Sequence, residues 1–348
     1  MKAVRVEPDG SVSVVEMPIP AIAAGEALMR TRAAGICGSD LLDWYVRRKA
    51  GTVLGHEVAG EIVAVGEGVN AFAPGDRIVP HHHAPCLECG ACRTGRFVHC
   101  AAWRSSALDP GGMAEFVRIP AGNLARDTQK IPRSLSDEEA SATEPLATVV
   151  KAFRRGRFEK EQSVFIVGLG PMGQLAVRLS RALGASRIAG ADRVASRIMK
   201  ARESGAETFD VDREPLAEGA RRFSDGKGFD FVFVGPGKSD VIASAAATVA
   251  PGGVLLVFTT PPPEEELALS LHDLYFRDVA VVPSYSCGPD DMRIALELLA
   301  TRRVEVSDLV THRFPIERAR EAFARARQPE GSLKVMITFS GEDVGGRT

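Results

Sequence analysis

The sequence predicts an α/β protein with two domains, one of them a doubly wound parallel sheet. Its 348 residues exceed the length that one hydrophobic core commonly organises. From about residue 160 onward, short apolar runs alternate with helical stretches. A glycine-rich turn, Gly168-x-Gly170-x-x-Gly173, follows the first of these runs, where it would join a strand to a helix.

The alternating region offers six strand candidates with helices between them, which is the pattern of a doubly wound sheet. The glycines of the turn would allow a pyrophosphate to approach closely. Pro171 and Met172 would begin a helix whose N-terminus faces the phosphates. The predicted strands are the run SVFIV from residue 163 and the segments Arg187–Ala191, Glu207–Val211, Phe229–Val234, Gly253–Thr259 and Asp278–Tyr285.

Asp192 ends the second predicted strand, about 20 residues beyond the glycine turn. A carboxylate there would bind the 2′-hydroxyl of an adenosine ribose and repel a 2′-phosphate; the alternative role is that of a helix N-cap. Arg193 and Arg197 lie just beyond it and could bind a 2′-phosphate. The sequence therefore favours NAD over NADP as the cofactor.

Composition and charge are those of an ordinary globular protein. Hydrophobic residues make up 45% and charged residues 25% of the chain, and the formal net charge is −2. We therefore expect neither a nucleic-acid partner nor an acidic membrane surface. The N-terminus lacks the features of a signal peptide, and no apolar run approaches the roughly 18–20 residues that cross a bilayer. These patterns predict a cytoplasmic protein.

Four of the six cysteines lie within residues 84–100, a segment with no strand pattern. Because cytoplasmic thiols stay reduced, the sequence favours a metal lobe over a disulfide knot. Four sulfurs would close a tetrahedral shell around a structural zinc ion; an iron–sulfur cluster is the alternative. The predicted ligands, in the spacing C-x2-C-x2-C-x7-C, are Cys86, Cys89, Cys92 and Cys100.

A second set of metal-binding side chains is scattered over three segments. Cys37 lies in AAGICGSD, His56 and Glu57 lie in VLGHEVAG, and Glu144 lies in ATEPLATVV. Taken singly, such a cysteine or histidine is more often packed in a core than bound to metal. A thiolate, an imidazole and a carboxylate together would leave a fourth position for water or substrate, as catalytic zinc requires. Spacing alone does not select these residues.

Taken together, the motifs resemble those of the zinc-dependent medium-chain alcohol dehydrogenase family, most closely its sorbitol (polyol) and threonine dehydrogenase branch. GICGSD, GHEVAGEIVAVGEGV, GDRIV, the cysteine lobe, GGMAEFV, EPLA and GLGPMG occur in the family's order and span nearly the whole chain. The resemblance implies a catalytic domain with a GroES-like, β-rich core, formed by residues 1–150 and 288–348. Residues 151–287 would form a Rossmann domain, with the active site in the cleft.

The resemblance also implies site residues, two zinc ions per chain and hydride transfer to a nicotinamide. Cys37, His56 and Glu144 would bind the catalytic zinc, with Glu57 as a supporting or exchanging ligand, and Ser39 would take the alcohol proton. The implied cofactor contacts are Thr148 against the nicotinamide, Arg197 near the adenosine ribose and Lys334 at the phosphates.

The chain departs from the family pattern just after Ser39. Leu42 stands where many members have a histidine that completes a proton relay, so protons would leave through cofactor hydroxyls and water, or through Asp43. Adjacent histidines on a strand point to alternate faces, so His81–His83 are expected to be pocket or surface polar residues rather than metal ligands. The residues expected to wall the substrate pocket are Asp43, Trp44, Tyr45 and Tyr285.

The leading hypothesis is a zinc enzyme that oxidises a secondary alcohol of a polyol, cyclitol or amino-alcohol type with NAD. The enzymatic alternative is a dehydrogenase of primary alcohols or aldehydes. The alternative from another class is a non-catalytic dinucleotide-binding protein, against which the complete set Cys37, His56 and Glu144 argues. We expect a small-molecule substrate and a homo-dimer or homo-tetramer.

Overall fold

A computed structural model describes residues 1–339; residues 340–348, which the sequence assigns to the catalytic domain, lie outside the described residues. No helix in the described part of the chain is long and apolar enough to cross a membrane. The strands are β1 Lys2–Val6, β2 Val12–Glu16, β3 Ala27–Gly35, β4 Glu57–Val65, β5 Arg77–Pro80, β6 Phe116–Ile119, β7 Thr128–Lys130, β8 Ser163–Val167, β9 Arg187–Asp192, β10 Glu207–Asp210, β11 Phe229–Val234, β12 Val249–Val257, β13 Ala280–Pro283, β14 Val310–Pro315 and β15 Lys334–Thr338.

Helices and short 3-10 turns connect these strands. Two of the 3-10 turns, Gly38–Leu41 and Arg47–Lys49, flank the first helix. The helices are α1 Asp43–Val46, α2 Gly90–Arg93, α3 Ala101–Ser105, α4 Ala121–Arg126, α5 Asp137–Ser141, α6 Thr143–Arg155, α7 Pro171–Ala182, α8 Ala195–Glu203, α9 Leu216–Phe223, α10 Ser239–Ala246, α11 Leu271–Phe276, α12 Pro289–Ala300 and α13 Ala319–Ala326.

The predicted doubly wound sheet is confirmed. Six parallel strands lie in the order β10-β9-β8-β11-β12-β13, which is the strand order 3-2-1-4-5-6 of a Rossmann fold. The fifth strand begins at Val249, earlier than predicted, because a register shift against β11 takes in the extra residues. The sixth is shorter than predicted and pairs only with β12, at the edge of the sheet.

The second sheet contains strands from both ends of the chain. Its strands follow the order β14-β15-β3-β4-β5-β7, with β6 paired to β3, and β1 and β2 form a separate antiparallel hairpin. The chain therefore returns to its N-terminal half after the parallel sheet, as the predicted arrangement requires. The limits at residues 150 and 288 stay predictions.

Helix α6 packs against both the parallel sheet and the returning chain. Phe153 on α6 lies 4.8 Å from Phe231 of β11, measured between ring centroids. Leu146 of α6 and Leu299 of α12 are buried in the same apolar cluster. Because Glu144 lies in the first turn of α6, this packing fixes the position of its carboxylate relative to both sheets.

Candidate active site and metal centres

The four lobe cysteines come together around one point. Their sulfur atoms all lie within 4.8 Å of one another, with Cys89–Cys92 at 3.5 Å and Cys86–Cys100 at 3.6 Å. A disulfide would need about 2.05 Å, and all four cysteines are free. Tetrahedral zinc–sulfur bonds of about 2.3 Å put the sulfurs about 3.8 Å apart, so this set fits a zinc ion.

The backbone of the lobe also suits thiolates. The N–H groups of Glu88 and Cys89 point at Cys86 Sγ, at 3.5 and 3.3 Å, and the Cys86 N–H points at Cys100 Sγ at 3.3 Å. Burial opposes ionisation of Cys100, but this bond from Cys86 and one from Trp103 outweigh it and lower the pKa of Cys100 to about 6. The prediction of a four-cysteine metal lobe therefore has the geometry it requires.

A second cluster forms where β3 ends and β4 begins. These strands pair antiparallel with Gly35 opposite Glu57, which brings Cys37 beside His56. The Cys37 sulfur, a His56 ring nitrogen and a Glu57 carboxylate oxygen lie within 4.8 Å of one another. A Cβ on Gly35 would lie 2.3 Å from Glu57 Oε2, so a larger residue there would displace this carboxylate.

The charges around His56 favour a cation at this cluster. Burial disfavours a charged imidazole, yet the nearby Cys37 and Asp40 raise the pKa of His56 well above its ordinary value. Glu57 Oε1 is buried and has no hydrogen-bond partner in the described residues. An orphaned carboxylate oxygen beside a thiol and an imidazole fits a bound metal ion.

Lys334 lies behind Glu57, where the pairing of β15 with β3 places it. Its ammonium is buried and donates to Glu57 Oε2 at 2.6 Å and to the Ile36 carbonyl at 3.1 Å. The predicted contact of Lys334 with cofactor phosphates therefore stays a prediction. A small pocket lined by Lys334, Glu57 and Pro171 does connect it to the glycine turn.

Glu144 stands in a neighbouring group rather than in the Cys37 cluster. One of its oxygens lies within 4.8 Å of ring nitrogens of His81 and His82. Burial raises the pKa of Glu144, whereas the nearby His56 lowers it. The structure thus groups Glu57, not Glu144, with Cys37 and His56, and Glu144 as a zinc ligand stays a prediction.

The histidine run is more ordered than the sequence indicates. His81 Nδ1 lies in hydrogen-bond contact with Asp127 Oδ2 at 2.6 Å, and both side chains are fully buried. This leaves His81 Nε2 facing inward, 3.6 Å from the buried Cys287 sulfur. The Asp127 contact orients His81 toward Glu144, and the expectation that the run supplies pocket or surface polar residues rather than metal ligands stays a prediction.

Aromatic rings lead from His56 to the surface. The ring centroids of His56 and His82 lie 5.0 Å apart. From His82 the rings continue to His83 at 4.2 Å, then to Trp103 at 4.0 Å, and from Trp103 to the exposed Tyr285 at 5.9 Å. We call the four residues beyond His56 the ring wall: His82, His83, Trp103 and Tyr285.

Helix α1 carries the remaining residues predicted for the pocket. Trp44 and Tyr45 pack edge to face at 5.6 Å. Burial, and then the proximity of Tyr45, raise the pKa of Tyr285, so Tyr45 lies near the end of the ring wall. Asp43 is the exception, because its carboxylate is exposed and pairs with Arg327 at 3.1 Å. This ion pair holds the Asp43 carboxylate at the surface, and its predicted place in the pocket stays a prediction.

The glycine turn has the predicted strand–turn–helix form between β8 and α7. Gly168 has φ +86°, and a Cβ on Gly173 would lie 2.0 Å from the Gly168 carbonyl oxygen, so both positions require glycine. Gly170 is the N-cap of α7, and Pro171 is its first residue. A helix that starts directly after a glycine turn offers its first N–H groups to an anion, as a bound pyrophosphate would require.

Asp192 lies at the end of β9, next to this turn. Its carboxylate accepts hydrogen bonds from the backbone N–H groups of Leu169 at 2.6 Å, Arg193 at 2.7 Å and Val194 at 2.9 Å. The N-cap of helix α8 is Val194, so Asp192 does not have the alternative role of helix N-cap. A carboxylate has about four acceptor sites, so this one keeps capacity for a ribose hydroxyl.

Comparison with known proteins agrees with this geometry. The family model for the alcohol dehydrogenase GroES-like domain matches residues 23–132, and that for the zinc-binding dehydrogenase matches residues 171–301. Sorbitol dehydrogenase from Mus musculus is 31% identical over 345 residues, covering 96% of this chain and 94% of its own length. The chain belongs to the zinc-dependent medium-chain alcohol dehydrogenase family.

Other relatives extend the comparison. D-arabitol-phosphate dehydrogenase from Enterococcus avium is 27% identical over 355 residues, covering 99% of each chain. Alcohol dehydrogenase TADH from Thermus sp. ATN1 superimposes with a TM-score of 0.87 at 29% identity, covering 98% of this chain and 100% of its own. The predicted polyol branch and two-part fold, GroES-like and Rossmann, are confirmed, and the protein is an oxidoreductase acting on CH–OH groups.

Sequence reasoning missed two residues that position the site of this dehydrogenase. Asp40 is buried, accepts the Cys37 N–H at 3.3 Å and acts on His56. Gln174 is buried in α7 and donates to the carbonyls of Leu169 and Arg197, both at 2.9 Å, which ties the glycine turn to α8. Asp40 lies three positions after Cys37, and Gln174 lies one position after Gly173. Both could have been found by considering the polar residues that flank each motif.

Replacing Cys89 with serine is expected to remove the lobe zinc of this dehydrogenase and to destabilise the fold more than it alters the chemistry. Serine cannot supply a thiolate, so three ligands would remain. Metal analysis should fall by one equivalent per chain, and the thermal midpoint should fall while kcat per folded molecule stays close to that of the wild type. Thr94→Ser, on the exposed face of the lobe, is the control. Unchanged metal content would contradict the assignment.

Proposed function

We propose that this dehydrogenase transfers a hydride between NAD(H) and a secondary alcohol or ketone of a polyol, cyclitol or amino-alcohol-like substrate. The observation that carries the proposal is the position of the Cys37, His56 and Glu57 cluster. It lies at the inner end of the ring wall, and its Glu57 lines a small pocket together with Pro171 of the glycine turn. A substrate oxygen at the cluster would therefore be close to a bound dinucleotide. The similarity to sorbitol dehydrogenase and to D-arabitol-phosphate dehydrogenase supports a polyol-like substrate.

The side chains of this site would hold the metal and move one proton. Cys37 and His56 would bind zinc, with Glu57 and Glu144 as carboxylates that exchange at the third position. A zinc ion bound there would supply a Lewis acid for the substrate oxygen. Ser39, on the 3-10 turn that follows Cys37, would accept the hydroxyl proton, and Leu42 cannot carry it further.

The cofactor contacts follow the Rossmann geometry. The turn residues Gly168–Gly173 would hold the pyrophosphate, and Asp192 and Arg197 would bind the adenosine ribose. Arg197 lies against Gly170, since its guanidinium is 3.4 Å from a Cβ built there. Thr148, whose hydroxyl donates to the Pro145 carbonyl at 2.7 Å, would lie against the nicotinamide.

The test combines a substrate screen with a cofactor variant. Secondary and primary alcohols are tested with NAD⁺ and NADP⁺, and reduced cofactor is followed by its absorbance. Asp192→Ala should lower kcat/KM for NAD⁺ by about 10- to 100-fold, as expected for losing a hydrogen bond to a charged acceptor, and should affect NADP⁺ far less. Asp210→Ala, at the end of the next strand, is the control. A wild-type preference for NADP⁺, or turnover of primary alcohols only, would contradict the proposal.

We further propose a cytoplasmic homo-dimer or homo-tetramer. The cysteines are free, and a thiolate lobe needs the reducing conditions of the cytoplasm. Leu271, Tyr275 and Phe276 of α11 are 77, 75 and 73% exposed, next to the unpaired edge of β13. An apolar patch beside an open strand edge is typical of a contact between copies. Light scattering should give a multiple of the chain mass, and Tyr275→Asp should reduce it; a monomeric wild type would refute the contact.

A further inference from the structure

Lys49 is a cation beside the ring of Tyr45, one of the residues predicted to wall the substrate pocket. It ends the 3-10 turn Arg47–Lys49, which follows helix α1, and its side chain is half-buried. Its ammonium lies 4.4 Å from the centroid of the Tyr45 ring. In residues 1–339, no carboxylate lies within salt-bridge distance of Lys49. The Tyr45 ring holds the ammonium in place without neutralising its charge.

The charge of Lys49 reaches the opposite side of the cleft. Burial is the main cause that lowers the pKa values of His82 and His83, and neighbouring positive charges, Lys49 among them, lower both further. Tyr45, under the ammonium, in turn lies near Tyr285 at the outer end of the ring wall. Lys49 thus lies over Tyr45 of helix α1 and near the histidines of the ring wall.

The neighbouring basic residues are engaged elsewhere. Arg47 packs against Gly10, at the β1–β2 turn, and Arg48 lies over the Trp44 ring at 5.5 Å. Arg104 donates to the Val98 carbonyl at 3.3 Å. On the acidic side, Glu57 is paired with Lys334 and Asp43 with Arg327. Lys151 is a second half-buried ammonium without a salt bridge in the described residues, but it donates to the Tyr285 carbonyl. Lys49 differs from these neighbours because it has neither a salt bridge nor a hydrogen-bond acceptor among the described residues.

We propose that Lys49 forms a subsite for an anionic group on the substrate, a phosphate monoester or a carboxylate at some distance from the oxidised hydroxyl. The proposal rests on the proposed function, because it assigns the substrate class of the same cleft. An ammonium makes charge-assisted hydrogen bonds to either anion, and these are stronger in a partly desolvated cleft than at an open surface. The anion would lie between Lys49 and the ring wall while the hydroxyl lies at the Cys37 cluster.

The kinetic test compares three substrates of the zinc-loaded enzyme with NAD⁺: sorbitol, sorbitol 6-phosphate and gluconate. The wild type should favour one of the charged compounds over sorbitol in kcat/KM by at least about tenfold. Lys49→Met should remove that preference, Lys49→Arg should keep most of it, and sorbitol turnover should change by less than about twofold in both. The charged compound that is favoured identifies the anion. Arg47→Met is the matched control, because the Arg47 side chain packs against Gly10. It should change turnover of neither sorbitol nor the charged compounds.

Two results would overturn the subsite: a wild type that prefers sorbitol, or a Lys49→Met variant that loses sorbitol and charged substrates alike. A binding measurement separates this outcome from failure of the proposed function. If none of the three compounds is oxidised, calorimetry with sorbitol 6-phosphate and with gluconate decides. The subsite is supported if the wild type binds either compound and Lys49→Met binds it at least about tenfold more weakly. It is refuted if the two proteins bind equally well, or if the wild type binds neither compound.

Discussion

Replacing His56 with asparagine is expected to remove the catalytic zinc and to lower kcat/KM on the order of 10³-fold. The Lewis acid contributes several kcal/mol to the transition state, and each 1.4 kcal/mol is about tenfold in rate. His56 is the only imidazole grouped with Cys37 and Glu57 in the described residues. Asparagine fills a similar volume but leaves the thiolate and the carboxylate without their third ligand.

Metal content and activity together test this expectation. His56→Asn should hold one zinc per chain, in the lobe, and its thermal midpoint should change less than that of Cys89→Ser. His99→Asn is the matched control, because His99 is exposed beside the lobe and lies 3.3 Å from Arg104 rather than in a ligand group. Two zinc ions per chain and near-normal turnover in His56→Asn would show that the Cys37 cluster is not the reactive centre.

The parts of the fold that could be predicted from sequence are those set by local chemistry. The turn at Gly168 and Gly173 needs glycine for steric reasons that hold in any context, so its motif located the strand, the turn and the helix. The lobe cysteines are close in sequence, and a short segment can bring its own thiols together. Both predictions depend on few long-range contacts.

The parts that could not be predicted depend on strand register and on distant loops. Lys334 contacts Glu57 because β15 pairs with β3, a relation between positions separated by 277 residues. The ring wall joins the histidine run to Trp103 and Tyr285, which belong to different segments of the chain. The choice between Glu57 and Glu144 as metal ligand likewise depends on how α6 packs on the sheets, which no spacing rule contains.

Glu57→Gln and Glu144→Gln are expected to separate metal retention from turnover. In the described structure Glu57 has one oxygen on Lys334 and one without a partner beside Cys37 and His56, which is the arrangement of a ligand in the resting site. Glu57→Gln should therefore weaken zinc binding by about 10- to 100-fold, as loss of a ligating or orienting carboxylate does. Glu144→Gln should keep the metal in the cofactor-free enzyme and reduce kcat.

The physical reason for this pattern is the balance of charge. Zinc with the Cys37 thiolate, a neutral His56 and one carboxylate is neutral, so only one of Glu57 and Glu144 is needed at a time. Glu57 would stay paired with Lys334 without the metal, so exchange with Glu144 would not leave the Glu57 carboxylate as an unpaired buried charge. Glu138→Gln, which lines the same small pocket but pairs with Arg313, is the matched control. Zinc loss in Glu144→Gln with full retention in Glu57→Gln would instead establish Glu144 as the resting ligand, as the sequence motif predicts.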